Sequence, residues 1–132
     1  MKHPFFVLLF LSAAVYCSAQ SVPAECTTFK SGKFAYRDSS NAFINVTRSG
    51  AKQQEEDKKR KIITKFKIKW TGECEYELTQ IWSNSKAKRK QNRAVTRVVI
   101  TKANGNDSYE YHCACGDRED KSSGGTMVRL GE

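Results

Sequence analysis

Acid–base and nucleophilic catalysis near neutral pH lean on histidine, and beyond His3 the chain has a single one, His112. It sits in Tyr109–Cys115, where Tyr109, Tyr111, Cys113 and Cys115 alternate with Glu110 and His112. On a strand that alternation sends the imidazole to one face and both thiols to the other. Thiolate and imidazole suit zinc or copper, but adjacent His112-Cys113 followed by Cys115 is not a zinc-site spacing. No G-x-S-x-G, H-E-x-x-H, Gly-rich phosphate loop or carboxylate-rich metal loop occurs. The expectation is therefore a protein that is not an enzyme and that carries neither metal nor cofactor, with His112 a surface strand residue.

Charge is the second chemical resource. The formal net charge is +9, and two acid-free runs supply much of it. One is Lys58-Lys59-Arg60-Lys61 continuing through Lys65, Lys67 and Lys69; the other is Lys86, Lys88, Arg89, Lys90, Arg93 and Arg97. Such runs can bind a polyanion: nucleic acid, an acidic polysaccharide or anionic lipid headgroups. Trp82, beside the second run, could stack on a base or a sugar. The competing reading makes the first run a solvated strand face and places Trp70 and Trp82 in the core. No evident acid neutralises the second run, so its six cations are the candidate polyanion-binding residues.

The elements that must position these groups are strands. In Ile62, Thr64, Phe66, Ile68 and Trp70 every second residue is apolar or β-branched, with Lys65, Lys67 and Lys69 between them. After Gly72, Cys74, Tyr76 and Leu78 alternate with Glu73, Glu75 and Glu77. The two segments predict a hairpin about Gly72 that sets Trp70 opposite Cys74, Ile68 opposite Tyr76 and Phe66 opposite Leu78. Lys69 then faces Glu75 and Lys67 faces Glu77 on the outer side. A slip of one residue would bury the charges.

Further strands are expected over Lys33–Arg37, Phe43–Arg48, Val95–Lys102, Tyr109–Cys115 and Thr126–Leu130, with turns at Asp38-Ser39-Ser40-Asn41 and Asn104-Gly105-Asn106-Asp107. Ala51–Arg60 has helix-forming composition but no apolar stripe, and reads as a polar, exposed edge strand and turn. Ser83–Arg93 reads as a basic loop or one irregular helical turn. The sum is an all-β antiparallel meander of seven or eight strands, closing as a small lipocalin-like barrel or stacking as a two-layer sandwich. The barrel is the preferred form. Its inward set, Phe34, Tyr36, Phe66, Ile68, Trp70, Tyr76, Leu78, Val98, Ile100 and Tyr111, either fills the interior or lines a small apolar pocket; a filled core is expected for so short a chain.

The first residues, MKHPFFVLLFLSAAVYCSAQ, pair a short basic start with an apolar stretch and a small-residue site before Gln20. Residues 1–19 thus read as a signal peptide and residues 20–132 as one β domain, periplasmic or secreted, with no transmembrane segment. Lipoprotein processing at Cys17 is the lesser alternative, because Tyr16 is bulky where that enzyme takes a small residue. Cys26, Cys74, Cys113 and Cys115 then remain in a compartment that permits disulfides. Four cysteines allow three pairings. Joining Cys113 to Cys115 is disfavoured, since strand residues i and i+2 stand roughly 6.5–7 Å apart; the other pairings stay open. Asn45-Val46-Thr47 and Asn106-Asp107-Ser108 match the glycosylation acceptor pattern.

The skeleton Cys26-x-x-Phe29-Lys30-x-Gly32-x-Phe34, Arg48, Gln54/Glu55, Trp70-x-x-x-Cys74-x-Tyr76-x-Leu78, Val98-x-Ile100 and Gly105-x-x-x-Tyr109 resembles a family of small exported bacterial proteins. They have no established activity and often carry a DNA topoisomerase IV label. The resemblance implies a Cys26–Cys74 disulfide, with Cys113 and Cys115 standing apart. The label is physically untenable: strand passage needs an ATP-binding domain, a tyrosine nucleophile on a winged helix and an acidic metal site, for which residues 20–132 have no room. The reading that results is an exported, monomer-sized binding or envelope-associated domain of unknown ligand, with a polyanion-binding protein using the 86–97 segment as the alternative.

Overall fold

The structure, a computed structural model, describes residues 25–115 and 123–131; the expected signal peptide lies outside them. Eight antiparallel strands follow one another around a closed barrel: β1 (Gly32–Arg37), β2 (Phe43–Ser49), β3 (Lys52–Asp57), β4 (Ile62–Gly72), β5 (Glu75–Ser83), β6 (Val95–Asn104), β7 (Ser108–Cys115) and β8 (Ser123–Arg129). β8 closes on β1 through Phe34↔Arg129 and Ala35↔Val128. Closure decides between barrel and sandwich, and among the described strands it leaves no sheet edge open to another chain. A 3-10 helix, Glu25–Lys30, precedes β1, and a single turn of helix, α1 (Lys86–Arg89), lies between β5 and β6. No helix among the described residues is long and apolar enough to cross a membrane.

The central hairpin forms with the expected faces but a different register. Trp70 pairs with Tyr76, Ile68 with Leu78, and Lys69 with Glu77, the ladder being irregular between Trp70 and Gly72. This is two residues from the expected pairing, because the connection through Gly72–Glu75 is wider than the turn assumed. Two residues is one full pleat, so every side chain keeps its side. Lys67 consequently faces Thr79 rather than Glu77.

A larger departure concerns β3. The expected exposed edge strand is paired on both sides, to β2 through Arg48↔Gln53 and to β4 through Gln53↔Phe66. Gln53 and Asp57 are buried. All six of its residues are polar, so no apolar stripe betrays the inward face. The barrel needs a strand here to close, and that requirement overrides composition.

One end of the barrel is a packed floor. The 3-10 helix buries Cys26 and Phe29 beneath Phe34, Tyr76 and Tyr109, the rings of Phe29 and Tyr109 lying 4.7 Å apart. Full burial of one such ring contributes roughly 1.5–3 kcal/mol. The Cys26–Cys74 disulfide ties this helix to the β4–β5 connection, as the resemblance implied. Arg129 adds a second tie. Its guanidinium donates to the carbonyls of Thr28, Ser31 and Asn106 and lies 4.8 Å from the Phe34 ring. Gly32 makes room for it: φ is +126°, and a Cβ there would stand 2.6 Å from Arg129 Nη1.

Candidate functional site

Above the floor the barrel is hollow. A cavity of about 410 Å³ is walled by Phe66, Leu78, Val98 and Met127, with Tyr36, Tyr76 and Tyr111 as aromatic panels and Gln53, Glu55 and Gln80 as polar inserts. That size falls within the range of small-molecule sites. The expected filled core is therefore only half realised. Phe29, Phe34 and Tyr109 pack the lower half, whereas the upper half, lined on one side by Ala94, Thr96 and Gly124, stays open. Arg37, Asp38 and Ser39 reach the cavity from the β1–β2 turn, and Lys88 and Gln91 reach it from the β5–β6 loop.

Both connections are held in place. Asp38 Oδ1 accepts from the Ser40 hydroxyl and from the amides of Ser40 and Ala42. These bonds, the Ser40 hydroxyl first, hold the Asp38 carboxyl below its ordinary range. Arg60 links this turn to the next, 3.5 Å from Asp38 and 3.0 Å from Asp57. Across the mouth, Ser85 caps α1 by accepting from the Lys88 amide. Gln80 reaches up from the wall and donates to the Lys88 carbonyl at 2.6 Å and to Asn92 Oδ1 at 3.0 Å. A cavity-lining side chain thus pins the loop over the opening.

Between cavity and floor runs a buried polar chain. Arg48, 2 % exposed, donates from Nε to Gln53 Oε1 (2.7 Å), from Nη1 to the Phe29 carbonyl (3.0 Å), and from Nη2 to the hydroxyls of Tyr76 and Tyr109 (2.7 Å each). The two hydroxyls are themselves 2.9 Å apart. The guanidinium also lies 4.7 Å from the Tyr76 ring and 5.1 Å from that of Phe34. Burial works against its charge, but the two tyrosine oxygens more than offset this and its pKa is raised. The planar fork of donors is what lets one cation serve four acceptors. Gln53 passes the chain upward, donating from Nε2 to Glu55 Oε1 at 3.0 Å, and Tyr36 donates to Glu55 Oε2 at 2.9 Å. Burial pushes the Glu55 carboxyl above its ordinary value and, with Glu55 beside it, pushes the Tyr36 phenol up as well, so that phenol stays protonated.

The residues nominated from sequence scatter. Lys86, Arg89, Lys90 and Arg93 are exposed on the β5–β6 loop, Lys88 turns toward the cavity, and Arg97 lies on the outer face of β6. Arg97 does have an acidic partner, Glu75 at 3.5 Å; the two are cross-strand neighbours that the spacing alone did not bring together. Trp82 is not core: it is 43 % exposed, with the Lys65 ammonium 5.2 Å from its ring centre. Trp70 does pack against the core. His112 pairs with Val99 and is exposed, while Cys113 lines the cavity from the opposite face of β7. The side chain of Cys115 lies outside the described residues. Arg48 and Glu55, which the sequence offers only as part of the resemblance, and Gln53, which it does not mark at all, form the polar heart of the interior. The available signal was Arg48, which shares a parity with Ile44 and Val46 on β2.

Comparison with known proteins adds no name: no family model, no curated protein and no solved structure matches the chain.

Proposed function

We propose that the domain is a non-enzymatic, extracytoplasmic binding or envelope-associated protein that holds a small, largely apolar molecule in the upper half of its barrel. The observation that carries this reading is the cavity of about 410 Å³, roofed by a pinned loop and floored by a packed core. A barrel built only for stability would gain by filling that space, since each missing methyl-sized group costs roughly 1 kcal/mol. The Cys26–Cys74 disulfide suits an oxidising compartment. The test is a fluorescence titration with the neutral apolar dye N-phenyl-1-naphthylamine. Saturable binding that is insensitive to salt and lost in Thr96→Trp, which fills the mouth, is expected. No enhancement with the folded protein would refute the reading.

The loop carries the second reading. Lys86, Arg89 and Lys90 are exposed together and form no ion pair among the described residues, which favours a polyanion on the outer surface. Retention on heparin or DNA should then fall steeply between two salt concentrations. It should also vanish when Lys88, Arg89 and Lys90 are changed to Ser. Equal retention by that triple variant would sink the idea.

A further inference from the structure

We propose that the cavity selects an organic cation, an ammonium head on an aromatic or apolar body, with Glu55 as the counter-charge. This rests on the cavity being a ligand site and names the class of ligand it takes.

The argument starts from which charge reaches the cavity. Arg48, the buried cation beneath the cavity, is walled off from it. Its donors are directed at Gln53, the Phe29 carbonyl, Tyr76 and Tyr109, and Tyr76 and Gln53 stand between it and the open space. A ligand carboxylate would find no free guanidinium at the bottom. Glu55 is the reverse case. It lines the cavity, and its two hydrogen bonds, from Tyr36 and Gln53, are both from neutral donors. A carboxylate has about four acceptor positions, so two are left for a ligand. No cation lies within ion-pair distance of it among the described residues; Lys88 from the loop overhead and Arg48 from beneath act on it only across a longer distance.

The walls fit the same head group. Tyr36 and Tyr111 both sense the Glu55 charge, and Phe66 lines the same cavity with them, so electron-rich rings share the space that the acid faces. Aromatic panels around an anion are how proteins hold ammonium groups. Burial raises the Glu55 carboxyl by more than the Tyr36 and Gln53 hydrogen bonds and the charges of Lys88 and Arg48 lower it, so the carboxylate is not fully compensated. At the rim, Asp38 accompanies Arg37 and Lys88, so the entrance is mixed in charge rather than uniformly cationic.

Three indole compounds separate the possibilities by calorimetry: tryptamine, tryptophol and indole-3-propionate carry an ammonium, a hydroxyl and a carboxylate on one body. A hydrogen-bonded charge pair is worth roughly 1.5–3 kcal/mol, about 10- to 100-fold in affinity. Tryptamine should therefore bind at least about tenfold more tightly than the other two, and Glu55→Gln should erase that preference while leaving tryptophol unchanged. Tryptophol or indole-3-propionate binding as well as tryptamine to the unaltered protein would overturn the proposal without touching the cavity reading, and this ranking needs no variant to fold. A tryptamine preference that survives in Glu55→Gln would equally remove Glu55 from the role. If neither the indoles nor N-phenyl-1-naphthylamine bind, the cavity reading itself falls, and the proposal with it.

Discussion

Replacing Arg48 by Met tests whether the barrel floor depends on one buried cation. Met keeps most of the stem and removes the guanidinium. The hydroxyls of Tyr76 and Tyr109 can still bond each other across 2.9 Å, but the Phe29 carbonyl and Gln53 Oε1 lose the partners recorded for them at 3.0 and 2.7 Å. A buried acceptor left without a partner costs about 1–3 kcal/mol, so the two together cost about 2–6 kcal/mol. Removing a desolvated charge returns part of that. A net loss of about 2–4 kcal/mol is expected, which for a domain near 100 residues lowers Tm by roughly 10–25 °C. Arg48→Lys should lose about half as much, since an ammonium keeps the charge but cannot span acceptors arranged for a planar fork. Thermal unfolding followed by near-ultraviolet circular dichroism reads all three proteins, because Tyr76, Tyr109 and Phe29 are themselves the reporters. An Arg48→Met protein as stable as the parent would refute the reasoning and make the floor an ordinary apolar core.

The remaining predictions concern the floor's fastenings and the acid above it. Changing Cys26 and Cys74 together to Ser opens a loop of sequence separation 48; chain entropy puts the loss at about 4 kcal/mol in denaturant titrations, and a loss under 1 kcal/mol would mean that Arg129 alone secures the helix. Gly32→Ala forces a side chain into φ +126° and against Arg129 Nη1, for an expected cost of about 1–3 kcal/mol; a neutral result would show that the Arg129 latch yields freely. For Glu55 the sign follows from the upward shift. A carboxyl whose pKa is raised by folding contributes stability below its ordinary value of 4.5 and loses it as pH rises through the folded value. Relative to Glu55→Gln, the parent should therefore be less stable at pH 7 than at pH 4. Asp38, shifted the other way, is common to both proteins and cancels. A difference that does not change with pH would contradict the assigned burial.

Much of the wall was legible because most strands alternate. Phe66, Ile68 and Trp70 against Lys65, Lys67 and Lys69 fixed the faces of β4, and even a two-residue error in register left them correct. The interior polar chain was not legible, for a physical reason. Gln53, Glu55 and Asp57 alternate with Lys52, Gln54 and Glu56, so both faces of β3 look equally wet. Only the partners across space, Arg48 on one side and Tyr36 on the other, make the inner face affordable. Hollowness was hidden as well. Alternation marks Thr96, Val98 and Ile100 as one face of β6 but says nothing of whether the side chains on that face meet those across the barrel, so the open space could not be read from it.

Cys26 and Arg129 also set how the domain stands when it is attached to anything. Both described ends of the chain, Glu25 and Gly131, run into the floor, where the Cys26–Cys74 bond and the Arg129 contacts with Thr28 and Asn106 gather them. The β1–β2 and β5–β6 connections that rim the mouth lie at the far end of the barrel. Whatever is joined at Glu25 or Gly131 therefore meets the floor, and the mouth of the cavity stands at the opposite end of the barrel from both.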